Sequence, residues 1–157
     1  MKEVTIYTDG ACSGNPGKGG YGVILSYGGR TKELSEGFLC TTNNRMELLA
    51  AITGLAALKE PCKVSLYSDS KYLIDAVNKK WIASWQKNGW KNSKKEPVKN
   101  RRLFEELIRL MSIHDVELIW VKGHDGHPEN ERCDFLATSA AKGSELKEDT
   151  EYLLENN

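Results

Sequence analysis

Apolar and polar residues alternate along the first 40 positions with the period of two that is typical of β-strands. The pattern predicts strands over 3–9, 21–27 and 31–39, with glycine-containing turns between them. Because Asp9 and Gly10 form a turn-prone pair, we expect the first strand to end there. The start of the chain is therefore predicted to form an antiparallel hairpin unit.

The pattern changes to helical spacing from Asn43 to Leu58. The rest of the chain predicts a strand over 64–68, a helix over 71–78, a tryptophan- and lysine-rich stretch over 81–99, a helix over 101–112, a strand over 116–121, a loop over 123–127 and a helix from Pro128. This order predicts an α/β fold with a mixed sheet, in which crossover connections follow the hairpin unit. After Gly143 the chain becomes acidic, and we expect a loosely held tail, in which Tyr152-Leu153-Leu154 could dock.

The chain has 157 residues, of which 39% are hydrophobic and 28% charged. These values are ordinary for a globular protein, and the length fits one domain of roughly 150 residues. We assign the domain to residues 1–142 and an acidic C-terminal tail to 143–157. No stretch is apolar enough for a membrane span, and we expect no signal peptide before the first strand. We therefore expect a cytoplasmic monomer that does not contact a membrane and needs no obligate protein partner.

The formal net charge is zero, but the positive and negative charges are unevenly distributed along the chain. Residues 79–102 contain nine lysines and arginines against Glu96 alone, a net charge of +8, so the other residues sum to −8. Such a segment, which we call the basic handle, is typical of a surface that attracts phosphates, although a solvated cationic face without a ligand would have the same composition.

Four acidic residues stand where solvated surface acids are not expected. Asp9 ends one apolar strand and Asp69 ends another, and ligands of open α/β sheets bind outside the carboxyl ends of the strands. Glu47 lies in the first turn of the helix after the third strand. Asp134 lies on the last helix beside Cys133, which the apolar pattern places in the core.

Each of these acids also has an ordinary structural explanation. Asp9 could start a turn, and Asp69 could cap the helix that follows it. Glu47 could form a capping arrangement with Asn44, and Asp134 could be a solvated helical acid. If all four converge, however, their carboxylates repel and desolvate one another, and a hard divalent cation with oxygen ligands relieves that cost.

Five blocks of sequence resemble the bacterial type 1 ribonuclease H family, in the family's order. They are Thr8-Asp9-Gly10-Ala11-Cys12, Gly14-Asn15-Pro16-Gly17, Thr41-Thr42-Asn43-Asn44-Arg45-Met46-Glu47, Ser68-Asp69-Ser70, and the run from Trp120 to Asp134 that contains Lys122-Gly123-His124 and Gly126-His127-Pro128-Glu129-Asn130-Glu131-Arg132-Cys133-Asp134. The resemblance covers about residues 3–142. It implies a ribonuclease H-like fold, a five-stranded mixed sheet flanked by helices with a basic helical handle.

The resemblance also implies the reaction. Asp9, Glu47, Asp69 and Asp134 would be the catalytic carboxylates and would hold two Mg²⁺ ions, with Mn²⁺ as a possible substitute. The enzyme would be an endonuclease that hydrolyses the RNA strand of RNA–DNA hybrids and leaves 5′-phosphate and 3′-hydroxyl ends. His124, between the glycines of its loop, would assist proton handling or product departure.

The remaining histidines have simpler expected roles. We expect His127 to cap the last helix and His114 to lie on the surface.

The substrate contacts also follow from the resemblance. Cys12, Asn15, Asn43 and Asn44 would line the shallow groove and reach the 2′-hydroxyl, with a helix cap as a further role for Asn43 or Asn44. Thr42 and Asn100 would hold a DNA phosphate.

In the basic handle, Trp81 would contact the DNA strand, whereas core packing is the expected role of Trp85 and Trp90. The lysines would attract phosphates without reading bases; they are Lys87, Lys91, Lys94 and Lys95.

Two residues depart from the family pattern. Lys71 stands where a glutamine is common, which puts a hydroxyl-reading role there in doubt, and Phe104 replaces a frequent tryptophan with an expected effect on packing only. Two alternatives from other classes remain: a non-catalytic hybrid-binding module on the same fold, and another nuclease or an integrase of the superfamily. The four carboxylates argue against the first, and the handle with the His124 loop argues against the second.

Overall fold

In the computed structural model, which describes residues 1–123 and 126–155, strands and helices follow one another in nearly the predicted order. Their bounds are β1 (Lys2–Gly14), β2 (Gly17–Tyr27), β3 (Arg30–Thr41), α1 (Asn43–Ala56), β4 (Cys62–Ser68), α2 (Lys71–Asn78), α3 (Trp81–Lys87), α4 (Arg101–Ile113), β5 (Asp115–Trp120), α5 (Pro128–Ala141), β6 (Leu146–Lys147) and α6 (Thr150–Glu155). Among the described residues, no helix is long and apolar enough to cross a membrane.

The strands form one mixed sheet in the order β5-β4-β1-β2-β3-β6. β1 pairs with β2 and β2 with β3 in antiparallel fashion, whereas β4 runs parallel to both β1 and β5. The predicted α/β class with a mixed sheet is confirmed. The structure adds a sixth strand to the five expected, because Leu146–Lys147 pairs with the outer edge of β3, where the backbone is otherwise unpaired.

The prediction that the first strand ends at Asp9-Gly10 is wrong. β1 continues through Gly14, and both residues stay paired with β2, Asp9 opposite Gly22 and Gly10 opposite Tyr21. Glycine is required at position 10 by packing rather than by a turn, because a Cβ there would lie 2.6 Å from the backbone nitrogen of Glu47. Gly10 therefore allows α1 to approach the sheet closely at this point.

Helices cover both faces of the sheet. α1 and α4 bury the larger apolar core on one face, where Leu48, Leu55 and Leu107 are fully buried. α5 lies on the opposite face, so close to β2 that a Cβ at Gly22 would overlap the carbonyl oxygen of Cys133. Cys133 is buried as predicted, and its Sγ donates a hydrogen bond to the carbonyl oxygen of Tyr7 on β1.

Two further expectations are wrong. His114, at the end of α4, is buried rather than on the surface. Its Nδ1 accepts a hydrogen bond from the backbone nitrogen of Cys62 at 3.1 Å, which joins the end of α4 to the start of β4. The tail is docked by β6 and by the carboxylate of Asp149, which lies 2.7 Å from Nε of the buried Arg45. A buried guanidinium requires a counter-charge, and the tail supplies it.

Candidate active site

The parallel pairing of β1 with β4 brings two of the predicted acids together. The last residues paired between β1 and β4 are Tyr7 and Tyr67. Asp9 and Asp69 each lie two residues further along the chain, at the carboxyl end of β4. Glu47 reaches the same point from α1, past Gly10. Oxygens of these three carboxylates lie within 4.8 Å of one another, and we call the group the carboxylate cluster.

Asp134 approaches from α5 on the opposite face of the sheet. It lies outside the 4.8 Å group, but it lines the same cavity of about 450 Å³ as Asp9, Glu47 and Asp69. The structure thus brings the four predicted carboxylates to one cavity, with three of them in close contact. Asn43 and Asn44 also line this cavity.

Burial and mutual repulsion disfavour the ionised forms of Asp9 and Glu47. Burial, with the charges of Asp69 and Asp134, raises the pKa of Asp9 to about 8. Burial, with the charges of Asp9 and Asp69, raises the pKa of Glu47 well above its ordinary value. Oε1 of Glu47 is buried and has no hydrogen-bond partner among the described residues.

Alternative capping roles for these acids are excluded by the helix ends. Thr42 caps α1 by accepting a hydrogen bond from Arg45 N, so neither Asn43 nor Asn44 is the cap and Glu47 does not form the capping arrangement. Ser70, rather than Asp69, caps α2. Glu47 is the fifth residue of α1 and so lies in its second turn, rather than in the first turn as expected from the sequence.

The two remaining local roles have different outcomes. Asp9 Oδ1 does accept a hydrogen bond from Gly10 N at 2.9 Å, but within a continuing strand rather than a turn. His127 occupies the N-cap position of α5 without a side-chain capping bond, so its predicted capping role is wrong. His124 lies outside the described residues.

Sequence reasoning missed the contribution of Trp120. Its indole Nε1 donates a hydrogen bond to the backbone oxygen of Asp69 at 3.2 Å, and the ammonium of Lys71 lies 5.0 Å from its ring centroid. Both residues line the cavity with the carboxylates. Trp120 ends β5 opposite Ser68, which places it beside the carboxyl end of β4, and the sequence has no local signal for this register.

Comparison with known proteins decides the family. The RNase H family profile matches residues 1–142. The chain belongs to the ribonuclease H family. Curated ribonucleases H from Desulforamulus reducens and Nitratidesulfovibrio vulgaris (strain Miyazaki F) are 60% and 57% identical to it, over 93% and 97% of this chain and 92% and 97% of theirs.

A solved structure supports the same assignment. LC9-RNase H1, described as a type 1 RNase H with the type 2 active-site motif, superposes with a TM-score of 0.80 at 32% identity. The match covers 90% of this chain and 72% of that one. Members of the ribonuclease H family require a divalent metal, and the carboxylate cluster is a group that could hold one.

In this ribonuclease H, the predicted groove residues lie near one another. Asn15 Oδ1 accepts a hydrogen bond from Asn43 N at 3.2 Å, which ties the β1–β2 turn to the start of α1. The thiol of Cys12 is 3.4 Å from the carbonyl oxygen of Thr41 and donates to it. Asn43 and Asn44 line the cavity of the carboxylates, whereas Asn15 lines a separate cavity that it shares with Asn44.

Thr42 and Asn100 line a second cavity of about 520 Å³. The Asn100 side chain is mostly buried: its Oδ1 accepts from Arg45 Nη1 and its Nδ2 donates to the hydroxyl of Tyr72. The second cavity therefore has fixed polar groups on the side predicted to hold a DNA phosphate.

The basic handle divides as expected between packing and exposed charge. Trp85 packs on Phe104, with ring centroids 5.1 Å apart, and on Trp90, which is buried. Phe104 is fully buried, consistent with a packing role only, whereas Trp81 is 38% exposed. The predicted phosphate-binding lysines are all exposed; they are Lys87, Lys91, Lys94 and Lys95.

Proposed function

We propose that this ribonuclease H is a magnesium-dependent endonuclease that cuts the RNA strand of RNA–DNA hybrids, with Asp9, Glu47, Asp69 and Asp134 as its metal ligands. The observation that carries the proposal is the carboxylate cluster, whose three oxygens lie within 4.8 Å of one another while Oε1 of Glu47 has no described partner. Buried anions in this arrangement need a cation between them.

The donor set fits Mg²⁺ better than a soft transition metal. Mg²⁺ prefers carboxylate oxygens, water and substrate phosphate, and no cysteine or histidine belongs to the close group found among the described residues. Two Mg²⁺ ions, when bound, would supply positive charge to the phosphate and lower the pKa of the attacking water. Mn²⁺ has similar ligand preferences and is the expected substitute.

The protein's part in the reaction is to fix the ligands. Trp120 holds the backbone of Asp69, Gly10 lets Glu47 approach β1, and α5 adds Asp134. Water would add to the scissile phosphorus while the bond from phosphorus to the 3′-oxygen breaks and that oxygen gains a proton. The products are a 3′-hydroxyl and a 5′-phosphate, and His124 remains the predicted group for proton handling.

Substrate recognition would come from two kinds of contact. The exposed lysines of the basic handle would attract phosphates without regard to sequence, and Trp81 would lie against the DNA strand. Cys12, Asn15 and the two asparagines that begin α1 would read the 2′-hydroxyl. Thr42 and Asn100 would hold a DNA phosphate in the second cavity.

The remaining assignments are also proposals. We propose a domain over residues 1–142 followed by the acidic tail, although the contacts of Asp149 tie the two together. We further propose a monomer that acts in the cytoplasm.

The test is cleavage of an end-labelled hybrid by the full chain with Mg²⁺, Mn²⁺ or EDTA, beside duplex RNA and duplex DNA. We expect cleavage of the RNA strand of the hybrid alone, only with metal, and a 5′-phosphate at the new end. Cleavage of duplex RNA at a similar rate would contradict hybrid specificity. A folded protein that binds hybrid but leaves it intact with either metal would support the non-catalytic binding module instead.

A further inference from the structure

The C-terminal helix α6 forms one wall of the second cavity. Tyr152 and Glu155 line this cavity opposite Thr42, Asn100 and Lys99. An acidic helix thus lies beside the place proposed for a phosphate of the DNA strand. The ionic contacts of this helix show which of its charges the fold requires.

A single buried guanidinium connects the tail to the cavity. The Arg45 side chain is 3% exposed, and its Nη1 donates to Oδ1 of Asn100 at 3.1 Å. Asp149 accepts from Nε at 2.7 Å and from Nη2 at 3.0 Å, a two-point contact between planar groups. Burial alone would raise the pKa of Asp149, but the hydrogen bonds from Arg45 and Thr41 outweigh it and lower that pKa. Asp149 is therefore the counter-charge that the buried Arg45 requires.

Two further carboxylates surround the same guanidinium without being needed to neutralise it. Glu151 lies 3.5 Å from Nη2 and Glu155 lies 3.7 Å from Nη1, and both side chains are more than a third exposed. Exposed ion pairs at such distances contribute little to stability. Arg45 and the three acids together carry a net charge of −2. Of these groups Glu155 lines the cavity, where the ammonium of Lys99 is its counterpart, and a carboxylate there is unfavourable for binding a phosphate.

We propose that α6 places an internal anion in the DNA-phosphate cavity, so that Glu155, with Glu151, competes with the DNA backbone and sets the affinity for the hybrid. Glu155 lies beside Nη1, the atom that also holds Asn100, so its carboxylate occupies the position toward which Arg45 attracts an anion. A bound DNA phosphate displaces the end of α6, while Asp149 keeps the start of α6 in place. This inference rests on the proposed function.

The test compares the full-length wild type with the double variant Glu151→Gln/Glu155→Gln, which keeps the shape of α6 and the Asp149–Arg45 contact. We expect KM for the hybrid to fall about three- to tenfold at low salt, with kcat unchanged, because a like charge next to the phosphate is removed. At roughly 0.5 M salt the difference should nearly disappear, because such charges are screened within a few ångströms.

The matched control is Glu145→Gln/Glu148→Gln, which removes the same charge from exposed positions of the same tail, outside the cavity. Its KM should stay close to that of the wild type. A second substrate, whose DNA strand carries uncharged methylphosphonate linkages, should abolish the advantage of the Glu151/Glu155 variant. Unfolding midpoints of both variants should match the wild type, which separates an effect on affinity from one on folding.

The possible outcomes are distinct. An unchanged or higher KM in the Glu151/Glu155 variant overturns the proposal, and so does an equal fall in the control pair, which would indicate a general effect of net charge. Failure of the wild type to cleave hybrid at all would instead contradict the proposed function.

Discussion

Replacing Asp9 with asparagine should stabilise the metal-free protein at neutral pH, even though it removes a proposed catalytic group. Asp9 is only 4% exposed, and its pKa is raised from 3.8 to about 8 by burial and by the charges of Asp69 and Asp134. Between these two pH values the folded state keeps the proton and the unfolded state has lost it. Stability therefore falls as pH rises through this window, by about 1.4 kcal/mol per pH unit.

The magnitude follows from the same shift. A pH of 7 is about three units above the pKa of the Asp9 carboxyl in the unfolded state. The raised pKa therefore lowers the free energy of unfolding at pH 7 by at most about 4 kcal/mol. Relaxation of the cavity and penetration by water reduce this cost, so we expect Asp9→Asn to gain about 2 kcal/mol. The pKa of Asp149 is lowered, so this residue has the opposite effect on the free energy of unfolding. Its contribution is lost as pH falls below the ordinary pKa of 3.8, far from neutral pH.

The assay is urea unfolding in EDTA at pH 5, 6, 7 and 8, with Asp115→Asn as the control at an exposed acid. The wild type and the control should lose stability across this range, whereas Asp9→Asn should show a flatter profile. Saturating Mg²⁺ should stabilise the wild type more than Asp9→Asn, because the ion binds the folded cluster. Parallel pH profiles for the wild type and Asp9→Asn would refute the argument that the buried carboxyl of Asp9 destabilises the metal-free protein at neutral pH.

Three other predictions follow from the packing and the surface. Gly22→Ala should lower the free energy of unfolding by about 2 kcal/mol or more, because the added Cβ overlaps α5; unchanged denaturation curves would count against this close packing. Trp120→Phe should lower kcat with little change in KM, because the hydrogen bond to the backbone of Asp69 is lost while the ring remains; wild-type kinetics would show that this bond does not position the ligand. Lys94→Ala/Lys95→Ala should raise KM and reduce the salt slope of hybrid binding by about one to two, with kcat preserved; an unchanged slope would exclude these lysines as phosphate contacts.

The parts of the fold that could be predicted were those with a strong apolar period. α1 was expected over 43–58 and ends at Ala56, and α4 was expected over 101–112 and ends at Ile113. The end of β1 could not be predicted, because Gly10 serves the approach of α1, a contact between residues distant in sequence. The contact that docks the tail through Asp149 could not be predicted for the same reason: its partner is Arg45, more than one hundred residues earlier.

Much of the candidate site could be anticipated because its residues lie at recognisable element boundaries. Asp9 and Asp69 follow from strand pairing, and the structure brings Glu47 within the same 4.8 Å group. The sequence could not reveal that Trp120 supports Asp69 through its backbone oxygen, since that contact depends on the β4–β5 register. Nor could it predict that the acidic tail lines the second cavity, because no local pattern relates Glu155 to Thr42.

The most direct test of the central claim, that the carboxylate cluster cuts RNA in a hybrid, is the single-turnover rate for the wild type and for Asp69→Asn at saturating Mg²⁺. We predict rapid RNA-strand cleavage by the wild type and a loss of at least about a hundredfold in the variant, with folding and hybrid binding retained. Cleavage by Asp69→Asn at the wild-type rate would contradict the account, because the reaction would then not depend on this cluster.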